Sequence, residues 1–225
     1  MIKDLSTELE KLKQRLLGLG CEVEGNLRNS ERALLQFDPE LARKIISNDS
    51  EIDSLEMSVE EKCLQILAQH QPVAGDLRFV VTVLKINNDL ERMGDLAAKI
   101  ADRVLLLARQ HHAPFADPRT VRFPERFRHI FAETISMVRM SLDSFVNLDA
   151  DLAYKVRLWD DQVDEAKREI RTQIEEIIQN DPRQQPYLAM LLSVSRSLER
   201  IADHATHIAE NVIYMLQGLI VRHDR

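Results

Sequence analysis

Apolar residues recur every three or four positions along most of this chain. Val83, Ile86, Leu90, Met93, Ala97, Ile100, Val104 and Leu107 form one run. Leu191, Val194, Leu198, Ile201, Ala205, Ile208, Val212, Met215 and Leu219 form a second. Shorter stripes run Ile45, Ile52, Leu55, Val59, Ile66 and Val156, Trp159, Val163, Ala166, Ile170, Ile177. This spacing gathers side chains on one face of a helix, and no alternating strand pattern competes with it. The breaks fall at Pro39, Pro72, Pro114, Pro118, Pro124, Pro182 and Pro186. Proline suits a first helical turn and disrupts a helix interior, so these positions mark boundaries. Asp38-Pro39-Glu40 reads as a cap, a first helical residue and an acidic first turn. Asn180-Asp181-Pro182 reads as a stop. The pattern predicts an all-α chain with helices over 3–36, 39–70, 73–110, 123–147, 150–179 and 184–218.

The two halves repeat one another. Asp38-Pro-Glu-Leu-Ala is matched by Asp149-Ala-Asp-Leu-Ala, and Asp49-Ser-Glu-Ile-Asp53 by Asp160-Asp-Gln-Val-Asp164. LERMGDLAAKIAD at 90–102 is matched by LERIADHATHIAE at 198–210. Preserved order and rough spacing indicate duplication. The expectation is two tandem antiparallel three-helix bundles related by pseudo-symmetry, over residues 1–112 and 113–225. His111 to Pro124, with three prolines and little periodicity, reads as the linker.

Bulk properties narrow the field. The chain has 225 residues and a net charge of −7, which argues against a nucleic-acid partner and favours cations. The start, MIKDLSTELEKL, has no signal-peptide core, and no run reaches the roughly 20 apolar residues of a membrane span. Any membrane link is therefore expected to run through a partner. Cys21 and Cys63 form no CxxC pattern and read as reduced, packed thiols. Phosphate-loop, dinucleotide-binding, zinc-protease and nucleophile-elbow motifs are missing, as is the Glu-x-x-His of di-iron bundles. No catalytic residue is assigned.

The candidate chemistry lies in acidic pairs at i, i+4: Asp49/Asp53, Glu91/Asp95, Asp160/Asp164 and Glu199/Asp203. Residues four apart share a helix face. Against the apolar seams these pairs lie outside the core. One such pair reads most simply as a solvated face. Four matched pairs, on the second and third helices of each half, point to two convergent oxygen-rich sites suited to hard divalent cations or iron. Gly94 and Ala202 lie inside the motifs, where a small side chain allows close approach of a ligand or a neighbouring helix. His204 and His207, at i, i+3, read as a polar face or as support for an acidic site.

The pairing of Asp49-x-x-x-Asp53 with LERMGD, and of RLWDDQVDE with SRSLERIADHATHIAENV, resembles the PhoU family over essentially the whole chain. The resemblance implies two stacked three-helix bundles that dimerise. It implies metal ions, namely iron, zinc, manganese or magnesium, at Asp49, Asp53, Glu91, Asp95, Asp160, Asp164, Glu199 and Asp203. It also implies a cytoplasmic adaptor, peripheral to the inner face of the membrane. Its partners would be the ATPase subunit of a phosphate ABC transporter and a sensor histidine kinase, with the phosphate-starvation regulon off when phosphate is plentiful. Lys99 stands where the second repeat has His207, and Asn88 where it has Arg196, so the two sites are expected to differ. A carboxylate-bridged metal enzyme and a purely structural helical scaffold stay open as alternatives.

Overall fold

A computed structural model describes residues 4–110, 124 and 126–221. It contains α1 (Leu5–Gln36), α2 (Pro39–His70), α3 (Ala74–Gln110), α4 (Arg126–Asn147), α5 (Ala150–Asn180) and α6 (Gln185–Gln217), with a 3₁₀ turn at Pro182–Gln184. No strand occurs among the described residues. The expected linker and the boundary at 112/113 fall outside them.

The turns explain the register. Phe37 adopts a left-handed conformation at the end of α1, with φ 53°, and Leu148 does the same after α4, with φ 55°. The next residue caps the following helix: Asp38 accepts from the Glu40 and Leu41 amides, and Asp149 from the Leu152 amide. The Asp38 amide donates to the Ala33 carbonyl, and the Asp149 amide to that of Ser144, both at 2.9 Å. The duplication thus extends to the backbone. The other end differs. Gln71 and Ala74, at φ 46° and 48°, flank a short turn around buried Pro72, whereas Asp181 leads through the 3₁₀ turn.

Helices α1–α3 pack together, as do α4–α6, and the two bundles join chiefly along α3 and α6 with a smaller α1–α4 contact. The predicted seams form the core, with Leu55, Trp159 and Ile177 partly buried at its edge and Leu219 outside it. Val83, Ile86, Leu90, Met93, Ala97, Ile100, Val104 and Leu107 are buried, and so is the α6 run from Leu191 to Met215. Leu219 is exposed, because Gly218 at φ 72° ends α6 first. Between bundles, Gly20 of α1 faces Leu142 of α4, and Phe79 of α3 stacks on Phe145 of α4 at 5.7 Å. Cys63 is buried as expected, whereas Cys21 is exposed, since it falls on the solvent side of α1.

Gly94 resolves toward packing. A Cβ there would lie 3.1 Å from Ile52 Cδ1 and Cγ2, so α2 fills the space against α3. The matching positions in the second half carry Val163 and Ala202, both buried: one carbon fewer and one more. Volume is conserved across the duplication although neither residue is, which is the kind of exchange cores tolerate.

This pairing yields a double-mutant cycle. Ile52→Val alone should cost about 0.5–1.5 kcal/mol. Gly94→Ala alone should gain less than its helix-propensity advantage of about 1 kcal/mol, owing to the contact with Ile52. The double variant, copying the second half, should be more stable than the sum by about 1 kcal/mol. Simple additivity in urea unfolding would show that the two sites are not coupled.

Candidate functional site: two unequal acidic clefts

Each acidic pair lies beside its seam in the same register. On α2, Asp49, Asp53 and Glu56 flank buried Ile45, Ile52 and Val59; on α5, Asp160, Asp164 and Lys167 flank buried Val156, Val163 and Ile170. Glu91 and Asp95 on α3 neighbour Leu90 and Met93, and Glu199 and Asp203 on α6 neighbour Leu198 and Ala202. Because α2 packs on α3, and α5 on α6, each half gathers its acids along one helix–helix groove. The groups are surface-exposed or half-buried, as the pattern predicts.

In the first half, burial pushes the Asp49 carboxyl above its ordinary range, and the charges of Asp53 and Asp95 push it further. Glu91 is raised by burial, with Asp95, Asp53 and Asp49 adding to it against Arg92. Glu56 is a fifth member: burial raises it first, followed by Glu60, Glu91 and Asp53. Its carboxylate accepts from Asn87 at 3.1 Å. The basic groups nearby are loosely placed, with Lys99 Nζ 3.4 Å from Asp95 and Arg92 Nε 3.4 Å from Glu91. Asp49 Oδ1 is buried with no hydrogen-bond donor. This is a carboxylate group short of positive charge, and its donor set fits a hard cation.

In the second half, Asp160 is raised to about 6, by burial first, then by Asp203 and Asp164, while a hydrogen bond from Thr206 opposes the rise. Asp203 is raised by burial and by Glu199, and lowered by His207. Here Lys167 stands where the first half has Glu56, and its ammonium pairs with Glu199. One of the four acids thus has an internal cation. A cleft of about 760 Å³ opens beside the group, lined by Asp160, Asp164, Asp203 and His207 from this half and by Lys85 and Asp89 from α3.

Asp89 is the residue that sequence reasoning missed. It lies on α3, yet its Oδ1 is 2.9 Å from His204 Nδ1 and 3.6 Å from His207 Nδ1, both on α6. Burial works against its ionisation, but the hydrogen bonds from His204 and His207 prevail and hold the carboxyl below the usual range. The same contact raises His207. Among the described residues, only Asp89, His204 and His207 bring three metal-ligating donor atoms within 4.8 Å of one another. The acidic tetrads are wider. Glu56 and Lys167 were legible by aligning the repeats; Asp89 was not, since its mate is Ser197 and its partners lie 115 residues away.

Comparison with known proteins places this architecture. The PhoU domain matches the chain twice, over residues 16–104 and 127–212. The chain belongs to the PhoU family. It is 38% identical over 224 residues to the phosphate-specific transport system accessory protein PhoU homolog of Pseudomonas putida, covering 98% of this chain and 84% of that one. It is 33% identical to the Escherichia coli K12 accessory protein PhoU, covering 97% and 87%. The crystal structure of PhoU from Pseudomonas aeruginosa superposes with a TM-score of 0.85 at 35% identity, covering 96% and 100%. That of the phosphate transport system regulatory protein PhoU from Streptococcus pneumoniae gives 0.86 at 29%, covering 97% and 99%.

The Asp160 carboxyl sets a pH dependence. It holds its proton up to about 6 in the folded chain, against an ordinary 3.8, so folding favours the neutral form. Its destabilising effect is absent below 3.8 and complete above about 6. Asp160→Asn should therefore raise the melting temperature of chelator-treated protein at pH 7.5 and leave it unchanged near pH 4. Solvent screening at this half-buried site limits the gain to about 1 kcal/mol, or about 2–4 °C. An equal gain at both pH values would mean that the charge of Asp160 is not its cause.

Proposed function

We propose that this chain is an accessory regulator of phosphate uptake acting on the cytoplasmic side of the membrane. It restrains the ATPase subunit of a phosphate ABC transporter and passes its state to a sensor histidine kinase. Phosphate-starvation genes then stay off when phosphate is plentiful. The observation that carries this reading is similarity over nearly the whole chain to proteins named as phosphate-specific transport system accessory proteins. No helix among the described residues is long and apolar enough to cross a membrane, which is compatible with attachment through partners. We read the clefts as binding surfaces rather than catalytic centres. Exposed Leu148, Leu158, Leu219 and Ile220 offer apolar area for a second copy of the chain.

Within this reading the acidic groups hold metal ions. Asp49, Asp53, Glu91 and Asp95 form one site, and Asp160, Asp164, Glu199 and Asp203 the other. Iron, manganese, zinc or magnesium would supply the positive charge that the carboxylates lack. Three features support the assignment: carboxyls raised by burial and by one another, the donorless Asp49 oxygen, and the groove along which each set gathers. The two sites are unequal. Lys167 competes for Glu199, whereas the first half adds Glu56. The first site therefore binds the ion more tightly.

Thermal melts test the metal sites. After chelation, an ion held a hundredfold above its dissociation constant should stabilise the wild type by about 2.7 kcal/mol per site. Glu91→Ala/Asp95→Ala should abolish the tighter of two transitions, and Glu199→Ala/Asp203→Ala the weaker. If both double variants gain as much from metal as the wild type, the acids are only a solvated face. The regulatory reading has its own test: deletion should derepress phosphatase genes in rich phosphate, and cross-linking in membranes should label the ATPase subunit. Unchanged expression with no labelled partner would leave a structural scaffold.

A further inference from the structure

We propose that Asp89, His204 and His207 form a separate binding site for a nitrogen-preferring divalent transition-metal ion, here probed as zinc, which ties the two bundles together across the α3–α6 interface. The site does not use the acidic pairs, and it stands whether or not those pairs hold metal.

The donor set is the first reason. Two imidazoles and one carboxylate suit zinc, iron(II), nickel or copper, whereas the all-carboxylate groups suit harder ions. Each imidazole can ligate in its neutral form. The spacing is the second. Ligands about 2.0–2.1 Å from a common ion lie about 3.3 Å apart in a tetrahedron and about 2.9 Å apart at the edge of an octahedron. Asp89 Oδ1 already stands 2.9 and 3.6 Å from the two imidazole nitrogens. All three donor atoms lie within 4.8 Å of one another, so an ion would replace the protons now shared between imidazole and carboxylate and draw the donors together by side-chain rotation.

Placement adds a third reason. His204 and His207 are one turn apart on the same face of α6, with rings 5.7 Å apart and edge to face. Asp89 reaches them from α3, and both helices are fixed by apolar cores on either side. Asp89 and His204 are 15% and 18% exposed at the side chain, whereas His207 is 51% exposed and borders the 760 Å³ cleft. The site thus has two sheltered ligands, one accessible ligand, and room for water in the remaining coordination positions. A structural ion pair would need only one histidine.

The duplication supplies a control inside the molecule. The symmetry-related positions are Ser197 on α6 and Leu96 and Lys99 on α3, and Leu96 is buried. These cannot chelate. Among the described residues there is therefore one such site, on one side of the pseudo-symmetric interface.

The test uses the full chain, stripped with chelator and titrated at pH 7.5 with zinc, and with cobalt(II) as a visible reporter of nitrogen ligation. Beyond any ion held by the acidic groups, the wild type should bind one equivalent that gives the cobalt absorption band of nitrogen ligation. His207→Ala and Asp89→Asn should weaken that equivalent by more than about tenfold, a loss typical even of a group one shell from the metal. Glu91→Ala/Asp95→Ala and Glu199→Ala/Asp203→Ala should both leave the band intact, so failure of the acidic-site reading is distinguishable. His207 is half exposed, so its alanine variant should keep the helical content and the metal-free melting temperature. Amide exchange along α3 and α6 should slow with zinc in the wild type and not in His207→Ala. A wild type that binds no such equivalent, or one whose zinc and cobalt affinities are untouched by His207→Ala and Asp89→Asn, overturns the proposal and leaves Asp89 as an ion-paired strut.

Discussion

Helices α3 and α6 must each be apolar on two sides. Each packs against the two other helices of its own bundle and also against its counterpart in the other bundle. A helix has room for little more than two such stripes, so what remains for polar residues is a narrow strip. That constraint decides where chemistry can go. On α3 the strip carries Asn88, Glu91, Arg92, Asp95 and Lys99; on α6 it carries Arg196, Glu199, Arg200, Asp203 and His207. Charges that would disperse around a less crowded helix are confined to the groove beside α2 or α5. Crowding of like charge is thus a consequence of how the two bundles are joined, and it adds to burial in raising the carboxyls of both halves.

The duplication keeps this architecture while changing its contents. The first turn of each half, with its cap and left-handed residue, and the core register are the same in both copies. Paired core positions exchange bulk, as Ile52 with Gly94 and Val163 with Ala202. The polar strip is freer, and there the halves part. Glu56 becomes Lys167, Lys99 becomes His207, and Asp89 becomes Ser197. An internal repeat therefore serves as a built-in reference: shared positions report the fold, and divergent positions report the specialisation of each half.

Much of the fold was legible because helices and their ends are written locally. The seams through Ile52 and Leu90 follow a period set by the helix itself, and Asp38-Pro39 declares a start that needs no distant partner. Helix ends at Ala74 and Gly218 were less legible, since they depend on backbone conformation rather than composition; this is why Leu219 was read into a seam that stops short of it. The acidic residues were found because i, i+4 spacing is visible in one dimension. Glu56 was overlooked although it stands at i, i+4 from Glu60, because that pair has no acidic counterpart in the second half, where Lys167 and Arg171 stand. Asp89 could not be found at all. Its role comes from α3 lying against α6, a fact held in the packing of two apolar stripes and in no motif.

The exchange of Glu56 for Lys167 also gives the two grooves unequal responses to dissolved salt. In the first half Glu56 and Glu91 are repelled by the neighbouring carboxylates, and a counter-ion atmosphere relieves that repulsion. In the second, the tethered ammonium of Lys167 attracts Glu199, and the same atmosphere weakens that attraction. Rising ionic strength therefore relieves repulsion in both grooves but weakens the Lys167–Glu199 attraction in the second alone, so the halves of a nearly symmetric molecule respond unequally as the salt content of their surroundings changes.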